Sequence, residues 1–272
     1  MLLAIDVGNT QTVAGVSQGA ELLHHWRVST VRTATVDELA AQHDKILELR
    51  GGSLTGIESM VVSSVVPTLT VAYRDLARRY MDRPALVVGP GVRTGMALAI
   101  DNPHELGADR LVNAVAAFRR YGGPCLVVDF GTATNIDAVS ERGEYLGGVI
   151  APGLEISVEA LTSRAARLLK VDLVPPPGAI GKSTVEALQS GIIYGTVAMV
   201  DGLVARLKGE LGPSALTVAT GGLAELIVPL SEQIDEHEPF LTLEGLRIIH
   251  ELNLGREPEP GRGPALGARR EA

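Results

Sequence analysis

Apolar positions along the chain switch between two periods, and the switches mark the elements. Leu2–Val7 is an apolar run stopped by Gly8-Asn9; Thr12–Ser17 follows, then a turn at Gln18-Gly19, then Leu22–Ser29. Three such runs in succession predict a strand meander. Val36–Arg50 has helical spacing, with Leu39, Ile46 and Leu49 on one side and Gly51-Gly52 at its end. Ser59–Ser63 predicts a strand, and Pro67 suits the first turn of a helix running to Tyr80. Ala85–Val88 predicts a strand ended by Gly89-Pro90-Gly91, and a polar loop leads to a helix over Leu106–Tyr121.

At Gly122-Gly123-Pro124 the pattern restarts. Cys125–Phe130, Asn135–Ser140 and Tyr145–Ile150 predict a second meander, followed by helices over Leu154–Leu169 and Thr184–Leu211. Leu216–Thr220 reads as a strand closed by Gly221-Gly222, and Leu243–Leu252 as a last helix. Residues 4–16 lie over residues 127–139 at a constant offset of 123, with Asp, Gly, a hydroxyl-rich turn and an apolar second strand in the same order. One Asp-x-Gly turn is commonplace; two that each open a meander at half-chain spacing indicate a duplicated α/β domain. The expected division is a lobe over residues 1–120, a second over 121–254, and a disordered Gly/Pro/Arg/Glu tail over 255–272.

Composition narrows the function classes. With 272 residues, 46% hydrophobic and 21% charged, the chain can bury the core of a soluble two-lobed protein. A net charge of -8 argues against nucleic acid or an anionic membrane as principal partner. The single cysteine, Cys125, opens an apolar run and reads as a buried, inert thiol. No targeting segment is visible, and the apolar stretch Gly191–Val200 is too short to span a bilayer, so a cytoplasmic protein is expected.

The candidate chemistry begins at Asp6, Val7, Gly8, Asn9, Thr10, Gln11 and Thr12. Gly8 lets backbone approach a ligand, consecutive turn amides form an anion-binding concavity, and Thr10 and Thr12 add hydroxyl donors. Asp6, at the end of a buried strand, can hold a hydrated Mg²⁺ that bridges phosphates. The second turn, Asp129-Phe130-Gly131-Thr132-Ala133-Thr134, could face the first across a cleft and clamp a nucleotide triphosphate with it. Ala219-Thr220-Gly221-Gly222 would admit an adenine or ribose. Gly181-Lys182-Ser183-Thr184 is not a P-loop, because Pro176 occupies the position of the required glycine; Ser183 or Thr184 caps a helix or meets a ligand. Asp109, in Asn102-Pro103-His104-Glu105-Leu106-Gly107-Ala108-Asp109-Arg110, is either a dipole-stabilising carboxylate or a proton acceptor for a substrate hydroxyl, with Arg110 fixing a carboxylate or amide. The six histidines lack zinc-site spacing and read as surface or turn residues. Gly191 and Gly195 suit close helix packing, within the chain or between subunits.

Together, Asp6-Val7-Gly8-Asn9-Thr10, Gly107-Ala108-Asp109-Arg110, Asp129-Phe130-Gly131-Thr132-Ala133-Thr134, Gly147-Gly148-Val149-Ile150-Ala151-Pro152-Gly153, Gly181-Lys182-Ser183-Thr184 with Gln189-Ser190-Gly191, and Ala219-Thr220-Gly221-Gly222 resemble the type III pantothenate kinases over residues 1–252. The resemblance implies duplicated ribonuclease H-like domains of the actin/Hsp70/sugar-kinase type with an inter-lobe cleft. It implies a homodimer and ATP-dependent phosphorylation of pantothenate at the first step of coenzyme A synthesis. It further implies that Asp6–Val13 (Val13 included) and Thr132 bind ATP phosphates, and that Gly107, Ala108, Asp109, Arg110 and Thr184 hold pantothenate with Asp109 as general base. Asp129 would coordinate K⁺ or NH₄⁺, with Mg²⁺ accompanying ATP. Gln11, Asn135 and Ile100 depart from the family's usual Asn, Thr and Tyr. A non-catalytic regulator of the same fold and a kinase for another small hydroxylated substrate are the competing readings.

Overall fold

The structure is a computed structural model and describes residues 1–164 and 171–258. Contacts divide the chain into two compact units. Of the described residues, the first comprises Met1–Gly95, Leu106–Ala116 and those from Thr242 to residue 258; the second comprises Met96–Glu105 and those between Ala117 and Leu241. The units interleave along the chain, whereas the repeat alone suggests one cut near residue 120.

In the first unit β1 (Leu2–Val7) is a central strand, hydrogen-bonded to β2 (Gln11–Gln18) antiparallel and to β4 (Ser59–Ser64) parallel. It is flanked on both sides, which is why LLAIDV is apolar almost throughout. β3 (Glu21–Ser29) is an edge strand whose exposure alternates residue by residue, as the pleat dictates. The sheet is completed by β5 (Ala85–Val87) in the order β3-β2-β1-β4-β5. Leu3, Ile5, Val7, Ala14 and Val16 form one face with α1 (Val36–Glu48) and α2 (Pro67–Met81). Thr35 and Glu38 close a reciprocal capping box on α1, and Pro67 starts α2. On the other face a Cβ at Gly15 would lie 2.7 Å from Leu243 of α7 (Leu241–Asn253). Helix α7 in turn approaches residues 108–116 of α3 (Ala108–Tyr121), where Thr242 bonds Asn113 at 2.7 Å.

The second unit repeats this plan. β7 (Cys125–Phe130) lies between β8 (Ala133–Val139) and β10 (Leu216–Thr220), in a sheet ordered β11-β10-β7-β8-β9-β6. β9 spans Glu144–Pro152, and two-residue strands β6 (Ala97–Leu98) and β11 (Glu236–His237) lie at the edges. Helices α4 (Leu154–Arg164), α5 (Thr184–Leu211) and α6 (Ala224–Ile227) cover one face with Leu154, Val158, Ile192, Ile193, Val200 and Ile227. The expected extension of α4 over residues 165–169 and the tail from 259 lie outside the described residues.

The duplication is more exact in register than in sequence. Asp6 pairs with Val13 and Val7 with Thr12; Asp129 pairs with Asn135 and Phe130 with Thr134. The second turn is one residue shorter, so past it the offset falls from 123 to 122 and Thr12 corresponds to Thr134, not to Asn135. Both copies then carry a register shift at corresponding places, Val16/Ser17 and Ala138/Val139.

Two sequence expectations are corrected by burial. His43 is not at the surface: it is fully buried on α1 with both ring nitrogens bonded. The apolar helical stretch is not limited to Gly191–Val200, since α5 runs 28 residues and by length and composition alone could cross a membrane. Its Ile192, Ile193, Val200 and Val204 have a packing reason to be apolar, being part of the second unit's core.

Candidate active site

The first turn is closed by Gly8 N–H donating to Gln11 O at 3.0 Å. A Cβ at Gly8 would lie 2.9 Å from that oxygen, so the tight closure requires glycine. Asn9, Thr10 and Gln11 are exposed, leaving a short arc of polar backbone outside the sheet, and Asp6 is half-buried at its base. The turn is held from β3: Thr30 N–H donates to Thr10 O at 2.9 Å, and Arg32 Nη2 to Asn9 Oδ1 at 2.9 Å. Thr12 is turned inward, buried with its hydroxyl 2.9 Å from that of Thr30, while Val13 is half-buried. Thr30 and Arg32 were not singled out by the sequence, because only the β2–β3 register brings them to the turn.

The second turn is closed by Gly131 N–H to Ala133 O at 3.1 Å, with Thr132 exposed and Asp129 half-buried at its base. Two glycines of the recognised motifs fit around it. A Cβ at Gly153 would lie 2.3 Å from Thr132 O, so the strand exit packs backbone on backbone beneath the turn. Gly221 has φ +97, and a Cβ there would lie 2.5 Å from Asp129 Oδ1. The Asp129 carboxylate therefore occupies the space that any other residue at 221 would fill.

Asp109 is half-buried in the first turn of α3 and belongs to the first unit, as does the Asp6–Val13 hairpin. Its Oδ1 accepts from Arg110 N at 2.9 Å, and a Cβ at Gly107 would lie 2.4 Å from the same oxygen. Gly107-Ala108-Asp109-Arg110 is thus a single steric unit: glycine at 107 lets the carboxylate fold back over the helix start. Thr184, Thr132 and Asp129 belong to the second unit. Ser183 is the α5 cap, accepting from Glu186 N at 3.2 Å, which leaves Thr184 exposed on the first turn. The residues before Gly181 form no strand, in keeping with the rejection of a P-loop. Ile100 packs toward Gly147, whose Cβ would be 3.6 Å away. Burial pushes the Cys125 thiol up to about 12, so it carries no thiolate chemistry near neutrality. Among the described residues no three His, Cys, Asp or Glu side chains gather as a metal site.

Two sheets of one strand order, each with an Asp-x-Gly turn after its central strand, define the class: a duplicated ribonuclease H-like fold of the actin/Hsp70/sugar-kinase type. Solved structures agree on the fold. A candidate Baf-family transcriptional activator from Campylobacter jejuni matches with TM-score 0.58 at 20% identity, over 93% of this chain and 99% of that one. A candidate N-acetylmannosamine kinase from Listeria monocytogenes matches with TM-score 0.51 at 12% identity, over 93% and 99%. At the sequence level the family model of type III pantothenate kinase matches residues 2–206. The type III pantothenate kinase of Streptomyces griseus subsp. griseus is 54% identical over 264 residues, covering 94% of this chain and 100% of that protein. The chain belongs to the type III pantothenate kinase family.

Proposed function

We propose that this chain transfers the γ-phosphoryl group of ATP to pantothenate, giving 4'-phosphopantothenate in the first step of coenzyme A synthesis, as a cytoplasmic enzyme. The observation that carries the reading is the Gly107–Arg110 unit within a chain of this family. A half-buried carboxylate is fixed at a helix start, where it can accept the proton of a substrate hydroxyl. Arg110 and Ala108 beside it, with Thr184, would hold pantothenate. The exposed backbone of Asn9–Gln11 in the turn that Gly8 closes, with Asp6 at its base and Thr132 on the second turn, would take the ATP phosphates.

Phosphoryl transfer passes through a loose transition state, so placement and charge neutralisation supply most of the acceleration. One carboxylate beside a polar turn suits a divalent ion carried mainly by phosphate oxygens and water, and Asp6 would hold Mg²⁺ through water. That ion would neutralise charge developing on the phosphates. Asp129, tucked over Gly221, offers a second oxygen site that fits K⁺ or NH₄⁺. ADP release that depends on pantothenate, and is faster in K⁺ than in Na⁺, is the expected result of a coupled assay. No pantothenate-dependent ADP would sink the assignment.

The same reading makes the protein a homodimer. Ile156 and Leu161 on α4, Val185 on α5 and Ile180 before it are exposed, Ile180 at 88%. Gly191 and Gly195 on α5 are exposed too, with nothing among the described residues within 4 Å of an added Cβ. Exposed apolar side chains near small residues on a long helix support close packing against a second copy.

A further inference from the structure

A buried chain of hydrogen bonds runs under the first hairpin, and the proposed chemistry does not use it. Trp26 Nε1 on β3 donates to His43 Nδ1 on α1 at 3.1 Å. His43 Nε2 lies 2.9 Å from the Tyr73 hydroxyl on α2, and the Thr12 side chain adjoins that hydroxyl. Thr12 Oγ1 lies 2.9 Å from Thr30 Oγ1, just past the end of β3, so the chain closes on the strand where it began. Trp26, His43, Tyr73 and Thr12 are all buried.

The donor at one end fixes the histidine tautomer. An indole N–H only donates, so His43 Nδ1 accepts and the neutral ring carries its proton on Nε2, facing Tyr73. Between Thr12 and Thr30 either hydroxyl can donate. The chain ends on the residue whose backbone N–H holds Thr10 O in the turn. The second copy supplies the control. Thr134, the counterpart of Thr12, buries a hydroxyl with no hydrogen-bond partner among the described residues, so the hairpin fold alone does not demand such a chain.

We propose that His43 and Tyr73 are positioning residues that fix the turn Gly8–Gln11 in its phosphate-binding geometry. This rests on reading that turn as the ATP-phosphate site. A buried network restricts the arrangements open to Thr12 and Thr30, so the turn amides are ordered before nucleotide arrives.

Tyr73→Phe removes one hydroxyl and keeps the ring. Measured on the full chain, its Kd and KM for ATP should rise about three- to thirtyfold, while KM for pantothenate stays and kcat changes less than KM. Trp26→Phe, at the far end, should move the same constants less, and the double variant should be non-additive in ATP affinity. Thr30→Val, at the half-buried end of the chain, gives the same readout if Tyr73→Phe does not fold. A lowered melting temperature with unchanged ATP constants overturns the positioning role. Gly8→Ala, which crowds Gln11 O, separates the two ideas. If it leaves ATP affinity intact, the turn is not the phosphate site and both readings fall. If it abolishes ATP binding while Tyr73→Phe and Thr30→Val bind ATP normally, only the positioning role falls.

Discussion

At the scale of single residues, similar side chains differ by what surrounds them. Asp109 holds Oδ1 between the Arg110 amide and the space over Gly107, so the carboxylate is fixed in place. Asp109→Asn keeps the shape and removes the base, so turnover should fall about a hundredfold or more while ATP still binds. Unchanged turnover with pantothenate would rule the base role out. At Asp129 the argument is steric: Gly221→Ala should displace the carboxylate and erase the K⁺ advantage over Na⁺, measured as the ratio of rates in the two salts. His43 gives a pH prediction. Burial lowers its pKa from 6.5 to about 4, so between those values the unfolded chain binds the extra proton. Stability is then complete above about pH 6.5 and falls as pH drops toward 4, by a total on the order of 3 kcal/mol. Urea midpoints followed across this window should show the fall, with little change from pH 7 to 8 attributable to His43.

At the scale of elements, most of the fold was legible because strong periodicity and strong punctuation coincide. Cys125–Phe130, Thr184–Leu211 and Leu216–Thr220 are bounded in the structure as their sequence patterns indicate. β6 and β11 were not legible, since two residues carry no period and their pairing comes from neighbouring strands. The same limit applies to the site. The Asp-x-Gly turns and Gly107–Arg110 stand out as local motifs. The Thr12–Thr30 contact and the Trp26–His43–Tyr73 chain join residues whose proximity only the sheet register and helix docking create. The repeat was visible at offset 123, but the shortened second turn hides the Thr12–Thr134 correspondence from an ungapped comparison.

At the scale of the whole molecule, the question is what meets the exposed apolar side chains of α4 and α5. Glycine is costly in a helix interior by roughly 0.5–1 kcal/mol relative to alanine. Gly191 and Gly195 sit within a 28-residue helix, and among the described residues an added Cβ at either would meet open space. The proposed homodimer would give them a reason, a partner helix that needs the room. Gly195→Leu should therefore preserve, or slightly raise, the helicity of the isolated chain, yet block close approach of a second copy. The expected outcome in sedimentation or light scattering is a wild-type particle of twice the chain's mass and a Gly195→Leu particle of one chain's mass, with far-UV dichroism unchanged. A variant that still dimerises would place the interface elsewhere. A wild-type monomer would leave the glycines without a physical reason and the exposed apolar side chains without an occupant.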